Sequence, residues 1–220
     1  MSMGYPLFTA CNEDDDKVDY TEYYDWRDEN NGLVDFVHGF QKDDSVQTYF
    51  NQKILSMKEP GWFSYYHIVH SANVDSLASL SPRKDFHPYS TSTLSVHYTL
   101  YDTHSVMDKM EALGFSQQTF RNTAGAMDSI FFANADGNTL KADTLESQQV
   151  AFFDNFTPND VIVGWGDILQ QMYIGDHVVA MIPWFLGYGQ TGSLPTIDPY
   201  SNLFFRIELC DITHLGATVE

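Results

Sequence analysis

The stretch from Val161 to Ile212, VIVGWGDILQQMYIGDHVVAMIPWFLGYGQTGSLPTIDPYSNLFFRIELCDI, constrains this chain more than any other. Gly164 and Trp165 open a short helical pattern in which Ile168, Leu169 and Met172 recur at the spacing of one buried face. Gly175 and Asp176 then mark a turn, and Val178 to Ile182 is an apolar, β-branched run of strand length. A loop with Gly187, Gly189, Gly192, Pro195 and Pro199 follows, with Tyr188 and Ile197 inside it. From Leu203 to Ile212, apolar Phe205, Ile207 and Leu209 alternate with polar Arg206, Glu208 and Asp211, the pattern of a strand with one buried face.

This order of helix, strand, aromatic loop and closing strand resembles the C-terminal half of the FKBP-type peptidyl-prolyl cis-trans isomerases. The residues that carry the resemblance are V-I-x-G-W at Val161 to Trp165, M-x-x-G-D at Met172 to Asp176, I-P at Ile182, Gly-Tyr-Gly at Gly187 to Gly189, and L-x-F-x-I-E-L at Leu203 to Leu209. The resemblance implies an α+β fold, an FKBP-like antiparallel sheet wrapped on a short helix, with an N-terminal helical extension and an inserted segment. It implies a prolyl pocket built from Tyr98, Phe152, Trp165 and Phe205, with Val161 and Ile162 at the rim. It gives Tyr188 and the Ile162 N–H the task of holding substrate carbonyls, and Ile197 an apolar loop contact. The pocket aspartate falls on Asp143 by the family's spacing back from Trp165, with Asp108, directly after the tyrosine strand, as the alternative. Ala142 then occupies the aromatic position of the family's Phe-Asp pair, Leu100 replaces a usual glycine, and Ser193 stands where many relatives carry histidine.

Upstream, Thr21 to Gly39 has helical spacing, with Trp26, Leu33, Val34 and Val37 on one stripe and Asp25, Asp28 and Glu29 in the early turns. A second helix is expected from Asp44 or Ser45, carrying Val46, Tyr49, Phe50 and Ile54 inward until Pro60 and Gly61. Trp62 to Val69 reads as a strand, Ser71 to Ser92 as a loop, and Leu94 to Tyr101 as the strand that supplies Tyr98. Val106 to Phe115 is helical in pattern, with Met107, Met110 and Leu113 in register. Ile130 to Ala133 reads as strand, Asp136-Gly137 as a turn, and Val150 to Phe156 as a strand bearing a pocket wall. The expected organisation is an acidic tether over 1–20, a helical extension over 21–59, and an FKBP-like domain over 60–214 with an insertion at about 103–130.

Leu7-Phe8-Thr9-Ala10-Cys11 followed by Asn12-Glu13-Asp14-Asp15-Asp16 resembles a lipobox with the export signal of Bacteroidetes surface lipoproteins. It implies lipidation at Cys11 and a place in the bacterial cell envelope, anchored in the outer membrane and facing the periplasm or the cell surface. Eleven basic residues against thirty acidic ones give a formal charge of −19, which repels phosphate backbones and excludes nucleic acid as a partner. Cys11 and Cys210 are the two cysteines and form no disulfide or zinc framework by spacing; Cys210, on the last strand, reads as a packed thiol. No metal or cofactor is expected.

Rotating a prolyl bond breaks amide resonance against a barrier of about 18–20 kcal/mol and needs no nucleophile. The twisted amide is less polar at its carbonyl than the planar one, so a dry aromatic bowl binds it preferentially. The function expected is peptidyl-prolyl isomerisation of proline-containing segments of exported proteins. Macrolide inhibitors are possible ligands, and the N-terminal helices offer docking or dimer contact. The alternative is a non-catalytic FKBP-like binding or chaperone lipoprotein. A weaker third reading has Val106 to Phe115 packed over Trp165 in a purely structural protein.

Overall fold

A computed structural model describes residues 19–40, 48–70, 87–116, 130–131 and 152–215. Cys11, Ala142, Asp143, the Asp136-Gly137 pair and most of the Ser71 to Ser92 segment lie outside them. Helix α1 (Tyr24–Phe40) is followed by strands β1 (Gln52–Leu55), β2 (Phe63–His70) and β3 (Thr93–Asp102). Next come helix α2 (Thr103–Ala112), β4 (Phe152–Phe156), α3 (Val163–Leu169), β5 (His177–Ile182) and β6 (Leu203–Thr213). The strands form one six-stranded sheet in the order β1-β2-β5-β6-β3-β4, antiparallel at every pairing. The fold is therefore α+β, an antiparallel sheet with a short helix against it and an N-terminal helix.

Strand alternation divides the sheet into two faces. On one, Leu94, Val96, Val178, Ala180, Ile182, Phe205, Ile207 and Leu209 pack with Trp165, Ile168 and Leu169 of α3. On the other, Tyr65, Val179, Met181 and Phe204 meet Leu33, Val34 and Val37 of α1, Val106 and Met110 of α2, and Ile130 and Phe131. Leu33, Val34 and Val37 of the expected stripe are thus buried, while Trp26 is half-buried and stacks on His104, and the helix docks on its own chain. Helix α2 begins at Thr103, where the Asp102 side chain accepts a hydrogen bond from the Ser105 N–H at 2.9 Å. Its buried residues are Thr103, Val106 and Met110, while Leu113 is exposed.

Three expectations are corrected. Within the described residues 48–59 the second helix is absent: residues 52–55 are strand β1, paired with β2 from Gln52↔Tyr66 to Leu55↔Phe63, so the sheet begins before residue 60. The hairpin closes where the Ser56 N–H donates to the Trp62 carbonyl at 2.8 Å and Gly61 turns with φ +99°. Pairing with β2 overrides a helical spacing of Tyr49, Phe50 and Ile54. Ile130 and Phe131 are helical rather than extended. Strand β6 is buried on both faces from Leu203 to Ile207, because helices cover both sides of the sheet; Arg206 is buried with its Nη1 donating to the Phe131 carbonyl at 2.7 Å.

Candidate active site

Trp165 is presented by a helix that lies directly on the sheet. A side chain at Gly164 would come within 2.5 Å of Ile182 Cγ2 and 2.6 Å of Ser64 Oγ, and one at Gly166 would collide with the Pro158 carbonyl. Glycine on either side of the indole is what lets α3 approach so closely. The helix starts at Ile162, whose carbonyl accepts from the Trp165 and Gly166 N–H groups at 3.1 and 3.0 Å. No hydrogen bond among the described residues engages the Ile162 N–H, so it is available to an acceptor.

Three rings surround the indole. Phe205 stacks on it at 4.5 Å between centroids and 26° between planes. Tyr98 and Phe156 each tilt against it at 4.8 Å and 58°. Trp165 is 7% exposed, and its Nε1 is buried with no partner among the described residues. Val161 and Ile162 are half-buried and pack against the same cluster, and Ile197 is buried in it.

The loop between β5 and β6 carries Tyr188 and Ile197. A 3₁₀ turn over Trp184–Leu186 leads to Gly187, and the Gly189 N–H returns to the Trp184 carbonyl at 2.8 Å. Ser193 and Ile197 form an isolated bridge, and Gly192 turns at φ +64° where an added side chain would strike the Ile197 carbonyl. Tyr188 is 38% exposed at this loop, near enough that its charge would raise the pKa of Tyr98. Burial is the main reason the Tyr98 phenol ionises above its ordinary value, with Asp154 and Tyr188 adding to it.

The structure therefore brings together Tyr98, Val161, Ile162, Trp165, Ile197 and Phe205, with Tyr188 beside Tyr98. Phe152 lies on β4 opposite Tyr98, its side chain outside the described set, as is Asp143 altogether. Asp108 is an exposed residue of α2, whose buried side faces the core across the sheet from Trp165, so it is not the pocket aspartate. For the same reason α2 does not cover the indole, contrary to the third reading. Two participants were missed by the sequence reading: Phe156 as a wall, and Asp154 as the carboxylate that acts on Tyr98. Both share Phe152's side of a strand by period-two spacing, which was the available signal.

The model of the FKBP-type peptidyl-prolyl cis-trans isomerase family matches residues 133–210. That segment is similar to FKBP-type sequence. It contains α3, the Tyr188 loop and nearly all of β6, whereas Tyr98 comes from outside it. The chain is 49% identical over 61 residues to the macrophage infectivity potentiator of Trypanosoma cruzi, covering 28% of this chain and 31% of that protein. It is 40% identical over 57 residues to the FKBP-type 22 kDa peptidyl-prolyl cis-trans isomerase of Escherichia coli, covering 26% and 28%. The chain thus spans less than a third of the length of either curated relative. Among solved structures, a peptidyl-prolyl cis-trans isomerase from Pseudomonas syringae aligns with TM-score 0.45 at 17% identity, over 86% of this chain and 96% of that one. FkpA from Escherichia coli aligns with TM-score 0.47 at 19% identity, over 87% and 63%.

Proposed function

We propose that the protein is a peptidyl-prolyl cis-trans isomerase that acts on proline-containing segments of exported polypeptides. The observation that carries this reading is the ring of Tyr98, Phe156 and Phe205 around the Trp165 indole. A proline stacked there loses water around its amide, which favours the twisted state over the planar one. The Ile162 N–H and the Tyr188 hydroxyl are the groups to hold flanking carbonyls. A millionfold acceleration asks for about 8 kcal/mol of differential stabilisation, within reach of a dry pocket with a few polar anchors. The similarity of residues 133–210 to FKBP-type sequence supports the same reading. The place of action is the cell envelope, through a lipid on Cys11; metabolic labelling with a fatty acid, lost in Cys11→Ser, tests that part.

The test of catalysis is the rate of cis-to-trans conversion in a proline-containing peptide. The pure protein accelerates it, and Tyr188→Ala or a macrolide inhibitor of the family removes most of the gain. Unchanged kinetics with the pure protein reject the enzyme.

The alternative is a binding module that holds such segments without turning them over. Ala142 in place of the family's aromatic favours it. Its signature is suppression of client aggregation while isomerisation stays at background.

A further inference from the structure

On the sheet face turned away from Trp165, three adjacent strands place one residue each in a single row. His97 of β3 is the cross-strand partner of Glu208 of β6, and Glu208 is the partner of His177 of β5. The register of β3 against β6 shifts between Ser95 and Val96: Ser95 faces Asp211 and Val96 faces Leu209, which leaves Cys210 as the extra residue of a bulge. Bulges re-aim side chains, and this one sets the Cys210 thiol beside His97.

The polar atoms converge. His97 Nδ1 lies 3.6 Å from Glu208 Oε2 and 3.6 Å from Cys210 Sγ. Ligand atoms of His97, Glu208 and Cys210 all fall within 4.8 Å of one another. His177 Nε2 stands 3.3 Å from the other carboxylate oxygen, Oε1. The side chains of His97 and Glu208 are 13% exposed and that of His177 8%, so the group is largely out of water yet reachable.

We propose that His97 Nδ1, Glu208 Oε2 and Cys210 Sγ form a binding site for a divalent transition ion of the zinc class, with His177 orienting the carboxylate. Metal–nitrogen and metal–oxygen distances of about 2.0–2.1 Å and a metal–sulfur distance of about 2.3 Å put tetrahedral ligands about 3.3–3.6 Å apart. The separations of His97 Nδ1 from the other two atoms already have that size. A nucleophilic Cys-His-Glu relay does not fit, because it uses both ring nitrogens, and here the thiol and the carboxylate face the same one. The thiol now contacts the Glu208 carbonyl at 3.7 Å; on binding, its proton leaves to solvent and the sulfur–metal bond replaces it. One thiolate and one carboxylate then balance the two charges of the ion. His177 plays the part that hydrogen-bonded partners of metal ligands commonly play. The competing account is a purely structural network in which buried Arg206, on the same face and sensing Glu208, supplies the positive charge.

The experiment uses the full chain with Cys11→Ser, leaving Cys210 as the one thiol. Titration with Co²⁺ is expected to give a thiolate-to-cobalt charge-transfer band that saturates at one ion per chain and is bleached by Zn²⁺. His177→Ala keeps the band and weakens binding about 10–100-fold, whereas His97→Ala loses the band. Should that last variant fail to fold, alkylation decides: Zn²⁺ slows modification of Cys210 in the otherwise unaltered fold. No band under excess Co²⁺, a band unchanged in folded His97→Ala, or alkylation indifferent to Zn²⁺ overturns the site and leaves the Arg206 network. Because the row lies across the sheet from Trp165, none of these outcomes bears on isomerase activity.

Discussion

Tyr98 shows what a single residue owes to its surroundings. Its phenol packs on Trp165 and Phe205, and burial, with Asp154 and Tyr188 adding to it, raises its pKa above the ordinary value of 10.0. Tyr65, Tyr66 and Tyr101 are raised too, burial again first among the causes. In the unfolded chain these groups lose their protons near 10, while the folded chain still holds them. The unfolded state then binds fewer protons, so stability falls as pH rises from 10 through the folded values and is fully present below 10. Lys109 runs the other way, lowered by burial and by Arg206, and adds stability as pH climbs from its folded value to 10.5. With these four tyrosines, and Tyr23 raised as well, against one lysine, denaturant titrations at stepped pH are expected to show a net decline above 10, made shallower by Tyr98→Phe. A flat profile there would refute the burial argument. At this scale the sequence was legible where the resemblance grouped the residues of one motif: Trp165, Ile162, Phe205 and Ile197 pack in one cluster. Phe156 was signalled only by its period-two spacing from Phe152, and His97, Glu208 and Cys210 were not legible, because only strand pairing unites them.

At the scale of an element, α3 is defined by what it lacks. A Cβ added at Gly164 would lie 2.5 Å from Ile182 Cγ2 and 2.6 Å from Ser64 Oγ, so Gly164→Ala forces these side chains or the helix to shift. The expected cost is about 1–3 kcal/mol, the usual range for overpacking, read as a lowered denaturant midpoint with an unchanged slope. A displaced indole should also weaken proline-peptide binding; a neutral substitution on both measures would show that the helix has room. Strand β1 was not readable, because Tyr49, Phe50 and Ile54 satisfy a helical spacing as well as an edge strand's needs, and only β2 decides between them. Its Gln52 and Lys53 are exposed, as suits an edge. Likewise Arg206 looked like a solvent residue until the Phe131 carbonyl, far along the chain, arrived to satisfy it.

Across the whole molecule, α1 reaches the pocket loop through polar contacts as well as packing. Asn30 is fully buried: its Oδ1 accepts from Thr103 Oγ1 at 2.7 Å and from the Asn202 N–H at 2.8 Å, and its carbonyl accepts from Asn202 Nδ2 at 2.9 Å. Asn202 Oδ1 in turn accepts from the Trp184 N–H at 2.9 Å, and Trp184 Nε1 donates to Asn31 Oδ1 at 2.8 Å. Trp184 begins the turn whose carbonyl receives the Gly189 N–H. The N-terminal helix is therefore tied to both ends of the loop that carries Tyr188. Leu33, by contrast, joins α1 to the opposite face through packing alone. The two links separate by mutation. Leu33→Ala should cost about 2–5 kcal/mol of stability and leave the loop as it was. Asn30→Ala strands the buried Asn202 N–H at about 1–3 kcal/mol, while the Thr103 hydroxyl keeps the Asn202 carbonyl as acceptor, and in addition it loosens the loop. Hydrogen exchange distinguishes them: under conditions where both variants are folded, the Gly189 and Gly187 amides should exchange faster in Asn30→Ala but not in Leu33→Ala. Equal acceleration in both would mean that the helix acts on the loop only through global stability, and that the asparagine pair is a local cap rather than a brace for the pocket.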